Sequence, residues 1–177
     1  MTSLSVFHIV GLSGKKWEKS LSSARQGGVM FRGVAQLNLD SKGRLAVPSR
    51  YRDALLMRCA GRLVVTADFD KCLLIYPLPE WEPIQQKLMA LSSLNPRIRD
   101  LQRQLIGYAE DIDMDAAGRV LVSSALREFA ALEKNVVLVG QGNKFELWDK
   151  PKWEQALERG SGFGDGDLPP ELEGFSL

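Results

Sequence analysis

Gly33-Val34-Ala35-Gln36-Leu37-Asn38-Leu39-Asp40-Ser41-Lys42-Gly43-Arg44-Leu45-Ala46-Val47-Pro48-Ser49-Arg50-Tyr51-Arg52 alternates apolar and polar residues, turns, alternates again and opens a helix. Successive side chains of a strand face opposite sides, so Leu37 and Leu39 share one face with Leu45 and Val47, leaving Asn38, Arg44 and Ala46 on the other. Between the strands Asp40 and Gly43 stand first and fourth in a four-residue turn, the places a type I turn prefers for them. They are turn residues first. The turn requires neither Lys42 nor Arg44, which together put two cations at the tip and exit of a β-hairpin.

The same device returns 75 residues later, where Asp113 to Val122 repeats Asn38 to Val47 and Arg52 falls on Arg127. Asp115 and Gly118 are then the turn residues of the second copy, and Arg119 stands where Arg44 does. A later strand pair repeats as well: Val64-Val65 on Val137-Leu138, and Lys71 to Ile75 on Lys144 to Trp148, at an offset of 73. A loop two residues shorter would account for the change. Ordered agreement across turn, helix and strands marks two copies of a β-β-α-β-β module. The expected fold is α+β, mostly β with helices and an internal pseudo-twofold.

A chain of 177 residues has enough length for a sizeable core. Its net charge of +1 hides a local excess, because residues 30–58 carry Arg32, Lys42, Arg44, Arg50, Arg52 and Arg58 against Asp40 and Asp53. Cys59 and Cys72 lack paired metal-type spacing, and so few cysteines fit a reducing cytoplasm better than a disulfide scaffold. Residues 1–29 read differently from the rest, and the lysines after Val6 to Leu12, with no clear cleavage site, fit neither a signal peptide nor a membrane span. They are expected to be a disordered arm or a mis-annotated start, with Met30 the natural one.

Modules are expected at 34–76 and 107–153. Pro48 should open a helix whose Tyr51, Ala54 and Leu55 face the core, as Leu126, Phe129 and Ala130 do in the second copy. Arg50 and Arg52 lie beside that stripe, either on a solvated face or against DNA. Residues 80–106 read as a connecting helical pair broken at Asn95-Pro96, with stripes Ile84, Leu88, Leu91 and Ile98, Leu101, Leu105. The second copy keeps Arg119 and Arg127 but has Ala117, Ser123 and Ala125 where the first has Lys42, Pro48 and Arg50, which thins its positive charge. Residues 160–177 carry four acids and no base and are expected to form a flexible tail.

Met30-Phe31-Arg32-Gly33, Asp40 to Pro48, Tyr76-Pro77-Leu78-Pro79-Glu80-Trp81 and Asn143-Lys144-Phe145-Glu146-Leu147-Trp148 together resemble the MraZ family, over Met30 to about Trp153. That resemblance implies a double AbrB-like domain, with the two halves interlocked as a swapped-hairpin barrel. It also implies a transcriptional regulator of the division and cell-wall gene cluster, forming ring-shaped homo-oligomers on short direct repeats in its own promoter. The family's Asp-x-x-x-Arg motif maps to Asp40 and Arg44 and to Asp115 and Arg119. The expected partners are double-stranded DNA and other copies of the chain, with no membrane, and the expected location is the cytoplasm and nucleoid.

B-DNA's major groove admits a two-stranded ribbon, and an arginine fork can bond both acceptors on a guanine edge. Arg44 is the expected base reader and Lys42 an expected phosphate contact. Arg50, Arg52, Arg119 and Arg127 complete the candidate DNA-binding set. Were the side chains of Lys42 and Arg44 both tucked inward or locked in ion pairs within the subunit, the nucleic-acid reading would collapse and only the doubled architecture would survive. No cofactor, metal or catalytic residue is expected, since no Gly-rich phosphate loop or nucleophile motif is present and the only histidine is His8. The competing class is a structural ring or partner-binding adaptor whose arginines serve solubility or subunit salt bridges.

Overall fold

In a computed structural model the described residues are 30–160, and the expectations for residues 1–29 and for the tail lie outside them. The chain is α+β. The element order runs β1 (Phe31–Asn38), β2 (Arg44–Ala46), α1 (Ser49–Cys59), β3 (Arg62–Ala67), β4 (Leu73–Pro77), α2 (Leu78–Ala90) and α3 (Pro96–Leu105). It continues with β5 (Glu110–Asp113), β6 (Arg119–Leu121), α4 (Ser124–Ala130), β7 (Asn135–Gly142), β8 (Lys144–Asp149) and α5 (Lys150–Gly160). A strand, strand, helix, strand, strand order therefore occurs twice.

The copies exchange strands. One six-stranded antiparallel sheet runs β1-β7-β8-β4-β3-β5, so β1 of the first copy pairs with β7 of the second, and β5 of the second with β3 of the first. β2 does not continue a hairpin with β1. After a single bridge, Leu39 to Leu45, it leaves to pair with β6 in a separate two-stranded ribbon. Both expectations drawn from the hairpin change accordingly. The turn at Asp40 to Gly43 links two sheets rather than tipping one hairpin, and the hydrogen-bonded strands form an open sheet plus a ribbon, not a closed barrel.

Apolar alternation places the core between sheet, ribbon and helices. Leu63, Val65, Leu73, Ile75, Val136, Leu138, Phe145 and Leu147 face inward from the sheet and meet Leu45, Val47, Val120 and Val122 from the ribbon region. Tyr51 and Leu55 of α1 and Leu126 and Ala130 of α4 close it, with Ala54 and Phe129 half-buried beside them, as the helical stripes require. A buried side chain of this size is worth about 1.5–3 kcal/mol, so this cluster dominates the stability of both copies together.

Strand register corrects the repeat. In β3–β4 Val65 pairs with Ile75, and in β7–β8 Leu138 pairs with Leu147, so the equivalences are 73 residues apart in the first strand and 72 in the second. The offset of 73 expected for Lys71 to Ile75 would set inward Ile75 on outward Trp148, the flip of faces that a one-residue slip produces. The earlier change of offset also has a different source. α1 has 11 residues and α4 has 7, both ending on a left-handed alanine, Ala60 or Ala131, and the loop after α4 is two residues longer.

With the register set, Tyr76, Pro79, Trp81 and Glu82 superpose on Trp148, Pro151, Trp153 and Glu154. The helices α2 and α5 are thus equivalent, and each copy ends in a helix rather than at its last strand. Both lie on the outer face of the sheet, α2 over Val64, Leu74 and Tyr76, and α5 over Cys72, Val137, Val139 and Trp148. Asn95 caps α3 by accepting from the Arg97 amide at 3.0 Å, as the Asn-Pro break predicts, and α3 packs Leu101 and Leu105 beside α2. Among the described residues no helix is long and apolar enough to cross a membrane.

Candidate nucleic-acid interface

The β2–β6 ribbon pairs Arg44 with Leu121, Leu45 with Val120 and Ala46 with Arg119. Residues directly opposite one another share a face. Leu45 and Val120 are buried, so Arg44, Ala46, Arg119 and Leu121 form the outer face, with Leu121 half-exposed at 52% and the two arginines diagonal to each other. One turn stands at each end of the ribbon. The Val47 amide donates to the Gly118 carbonyl at 2.9 Å and the Val122 amide to the Gly43 carbonyl at 3.0 Å, so each copy's strand is closed by the other copy's turn.

Each turn is built around its aspartate. Asp40 Oδ1 accepts the Lys42 and Arg44 amides, both at 2.9 Å, and Oδ2 accepts Arg44 Nε at 2.7 Å; the Gly43 amide donates to the Asp40 carbonyl at 2.9 Å. Asp115 repeats this with the Ala117 amide at 2.9 Å, the Arg119 amide at 2.8 Å and Arg119 Nε at 2.9 Å. The Arg44 amide, the Arg44 guanidinium and the Lys42 amide hold the Asp40 carboxyl down to about 2, against an opposing effect of burial. Asp115 is lowered for the same reason, chiefly by the Arg119 amide.

Arg44 is therefore not the free fork expected from the sequence. Its Nε is committed to Asp40 because the turn brings the carboxylate four residues back onto it, and Arg119 is held more fully, with both Nε at 2.9 Å and the terminal Nη2 at 2.8 Å on Asp115 Oδ2. Lys42 fits its expectation better: it is exposed at the tip, and among the described residues its ammonium makes no hydrogen bond or ion pair. Arg50 is exposed on α1 with its guanidinium 4.7 Å from the centre of the Tyr51 ring, over β1 near Gly33.

Arg52 and Arg127 take a role that turn chemistry alone does not reveal. Arg52 Nε donates to the Val47 carbonyl at 2.7 Å, and Arg127 Nε to the Val122 carbonyl at 3.2 Å. Each then lies across the glycine of the opposite copy's turn. A Cβ on Gly118 would sit 2.4 Å from Arg52 Nε, and one on Gly43 would sit 2.7 Å from Arg127 Nε. Gly43 at φ +81° and Gly118 at φ +73° are thus glycines twice over, for the left-handed backbone and for the arginine lying on it. The sequence signal for this was the shared 75-residue offset of Arg52 and Arg127.

Among the described residues no group of three or more His, Cys, Asp or Glu side chains could hold a metal ion. Fold and site together define a duplicated, strand-exchanged protein whose conspicuous surface feature is an arginine-bearing β-ribbon bounded by two aspartate-centred turns, the first of which carries Lys42. The sequence profile described as "MraZ protein, putative antitoxin-like" matches residues 30–104 and again 105–163. The chain belongs to the MraZ family.

Relatives named "Transcriptional regulator MraZ" include those of Thiobacillus denitrificans, 64% identical, and Nitrosomonas europaea, 60% identical, each over 148 residues that cover 84% of this chain and all of the relative. That of Escherichia coli K12 is 53% identical over 152 residues, again 84% of this chain and all of the relative. A family of transcriptional regulators also agrees with the expectation that the chain is not an enzyme.

Proposed function

We propose that this chain is a sequence-specific DNA-binding transcriptional regulator acting on the division and cell-wall gene cluster, which binds short direct repeats in its own promoter. It works in the cytoplasm at the nucleoid, as a ring-shaped homo-oligomer. The observation that carries this reading is the outer face of the β2–β6 ribbon, where Arg44 and Arg119 project from strands anchored underneath by Leu45 and Val120. A two-stranded ribbon has the width of the major groove. The strand exchange between copies supports an AbrB-like swapped-hairpin architecture.

The division of labour changes with the ion pairs. Asp40 orients Arg44 by its Nε, leaving the terminal nitrogens of the fork for a base edge or phosphate, and Lys42 supplies the diffuse phosphate contact at the tip. Arg50 adds charge beside the first turn. Arg52 and Arg127 act through the shape of the turns they lie on. Few contacts per subunit bind weakly, and several ribbons presented to spaced repeats gain through effective concentration.

The ion pairs also favour the adaptor reading, in which these arginines only shape loops. Binding of the purified protein to DNA upstream of its own gene separates the two. Arg44→Ala should lose about 1–3 kcal/mol per engaged ribbon at fixed salt, with the melting temperature unchanged. Lys42→Ala should weaken specific and random DNA alike and flatten the salt dependence. Wild-type protein showing no preference for those repeats over random DNA would establish the adaptor instead.

A further inference from the structure

The two ends of the β2–β6 ribbon share one backbone pattern and carry different side chains. Ladder bonds join Gly43 to Val122 and Val47 to Gly118, so by alternation Arg44–Leu121 and Ala46–Arg119 are the non-hydrogen-bonded pairs, in which side chains stand closest. The end nearer the first turn therefore sets Arg44 beside Leu121, with Lys42 in the turn itself. The other end sets Arg119 beside Ala46, with Ala117 in its turn. The grip on the two arginines differs as well: Asp115 takes Arg119 by Nε at 2.9 Å and Nη2 at 2.8 Å, whereas Asp40 takes Arg44 by Nε at 2.7 Å.

Leu121 is the residue of this group that the fold does not require. Its chain neighbours Val120 and Val122 are buried, whereas Leu121 lies half-exposed on the outer face. Its counterpart 75 residues earlier is Ala46, so a small side chain satisfies the strand at this place, and leucine is not one of the residues that strands favour. Single exposed leucines are ordinary on protein surfaces. This one stands directly across from the arginine whose fork is the freer of the two, about 4.5–5.5 Å away from Cβ to Cβ.

We propose that Leu121 is a specificity-determining residue of the ribbon, packing on the 5-methyl group of a thymine next to the base pair that Arg44 reads; this rests on the ribbon being a major-groove interface. Thymine's methyl is the apolar group that the major groove displays, and apolar side chains meet it. It stands out from the base edge, so the shorter leucine reaches it from the same rung of the ribbon from which the longer arginine reaches a guanine. Two adjacent bases are then read by one side chain from each copy. Ala46 offers much less surface at the other end. A ribbon with equal ends would suit inverted half-sites, as twofold proteins do. With Leu121 and Lys42 at one end only, it has a direction, and sites read by successive subunits all point the same way.

Fluorescence anisotropy on the full chain tests this, using DNA from upstream of its own gene in which each thymine of the repeats is exchanged in turn for deoxyuridine. The exchange removes the methyl and keeps the base pair. At one position of the repeat it should weaken wild-type binding roughly fourfold per engaged repeat, the worth of one buried methyl. Leu121→Ala should lose a similar factor on the thymine probe and no longer distinguish thymine from uracil there. Leu121→Met, which keeps an apolar tip, should retain the distinction, and the uracil series on the wild-type protein depends on no variant folding. If the wild type prefers the repeats to random DNA but no uracil weakens it, or if Leu121→Ala keeps the full thymine preference, the assignment of Leu121 is overturned while the DNA reading stands. If the wild type shows no preference for the repeats, the DNA reading itself falls and the role of Leu121 falls with it.

Discussion

Asp40 does three things with one carboxylate: it closes the turn, accepts two amides beyond it and holds Arg44. Only the first follows from its place before a glycine. Because its folded-state pKa of about 2 lies below the value near 4 of an unfolded chain, its stabilisation is complete above about pH 4 and lost as pH falls toward 2. A carbon-detected NMR titration should place its midpoint near 2, with Asp115 also below the ordinary carboxylate range. Asp40→Asn removes the charge that orients Arg44, so amide exchange at Lys42 and Arg44 should rise and DNA binding should fall while the core stays intact. If binding rises instead, Asp40 is restraining Arg44 rather than aiming it. The ion pair was hidden in the sequence because a residue's place on the outer side of a strand fixes its direction, not what the preceding turn brings against it.

At the scale of elements, the copies are joined by arginines lying on glycines. Ala at Gly118 forces a left-handed residue, costing about 1–2 kcal/mol, and drives a methyl into Arg52. In the cycle of Gly118→Ala with Arg52→Ala, the second substitution should recover the steric part, giving a coupling of roughly 0.5–3 kcal/mol in denaturant unfolding. Gly43→Ala with Arg127→Ala should recover less, since a Cβ there also meets the Val122 carbonyl oxygen at 2.9 Å, which no side-chain change removes. Leu45→Ala beneath the ribbon should cost about 2–5 kcal/mol, because Leu45 is fully buried. Alternation and turn residues made β1, β2 and the α1 stripe legible from Gly33 to Arg52 alone. Which strands pair was not legible, since apolar alternation is satisfied equally by a hairpin and by exchange with a second copy. The equivalence of β4 with β8 failed for a local reason: matching Lys71 to Lys144 set an exposed turn residue on the half-buried first residue of β8, whereas Pro79, Trp81 and Glu82 with Pro151, Trp153 and Glu154 carried the true offset.

For the whole molecule, exchange means that neither copy is a separable domain. Among the described strands β1 would lose its one neighbour in the sheet without β7, and β5 its one neighbour without β3, while β2 and β6 have no ribbon without each other. The main core draws from both copies on every side, so division would expose Leu45, Val120, Leu126 and Phe145 together. Yet the covalent link runs through an exposed segment, Leu91 to Asn95, between α2 and α3, which carries none of that pairing. A protease site inserted there should be cut readily while the pieces stay together in native buffer, co-eluting at the mass of the uncut protein and still binding DNA. Separation should require denaturant, and each piece alone should lack the cooperative unfolding transition of the pair. Pieces that part on cutting and fold singly would mean that each copy can satisfy its own strands, and the ribbon carrying Arg44 and Arg119 would then be an accident of packing rather than the product of exchange.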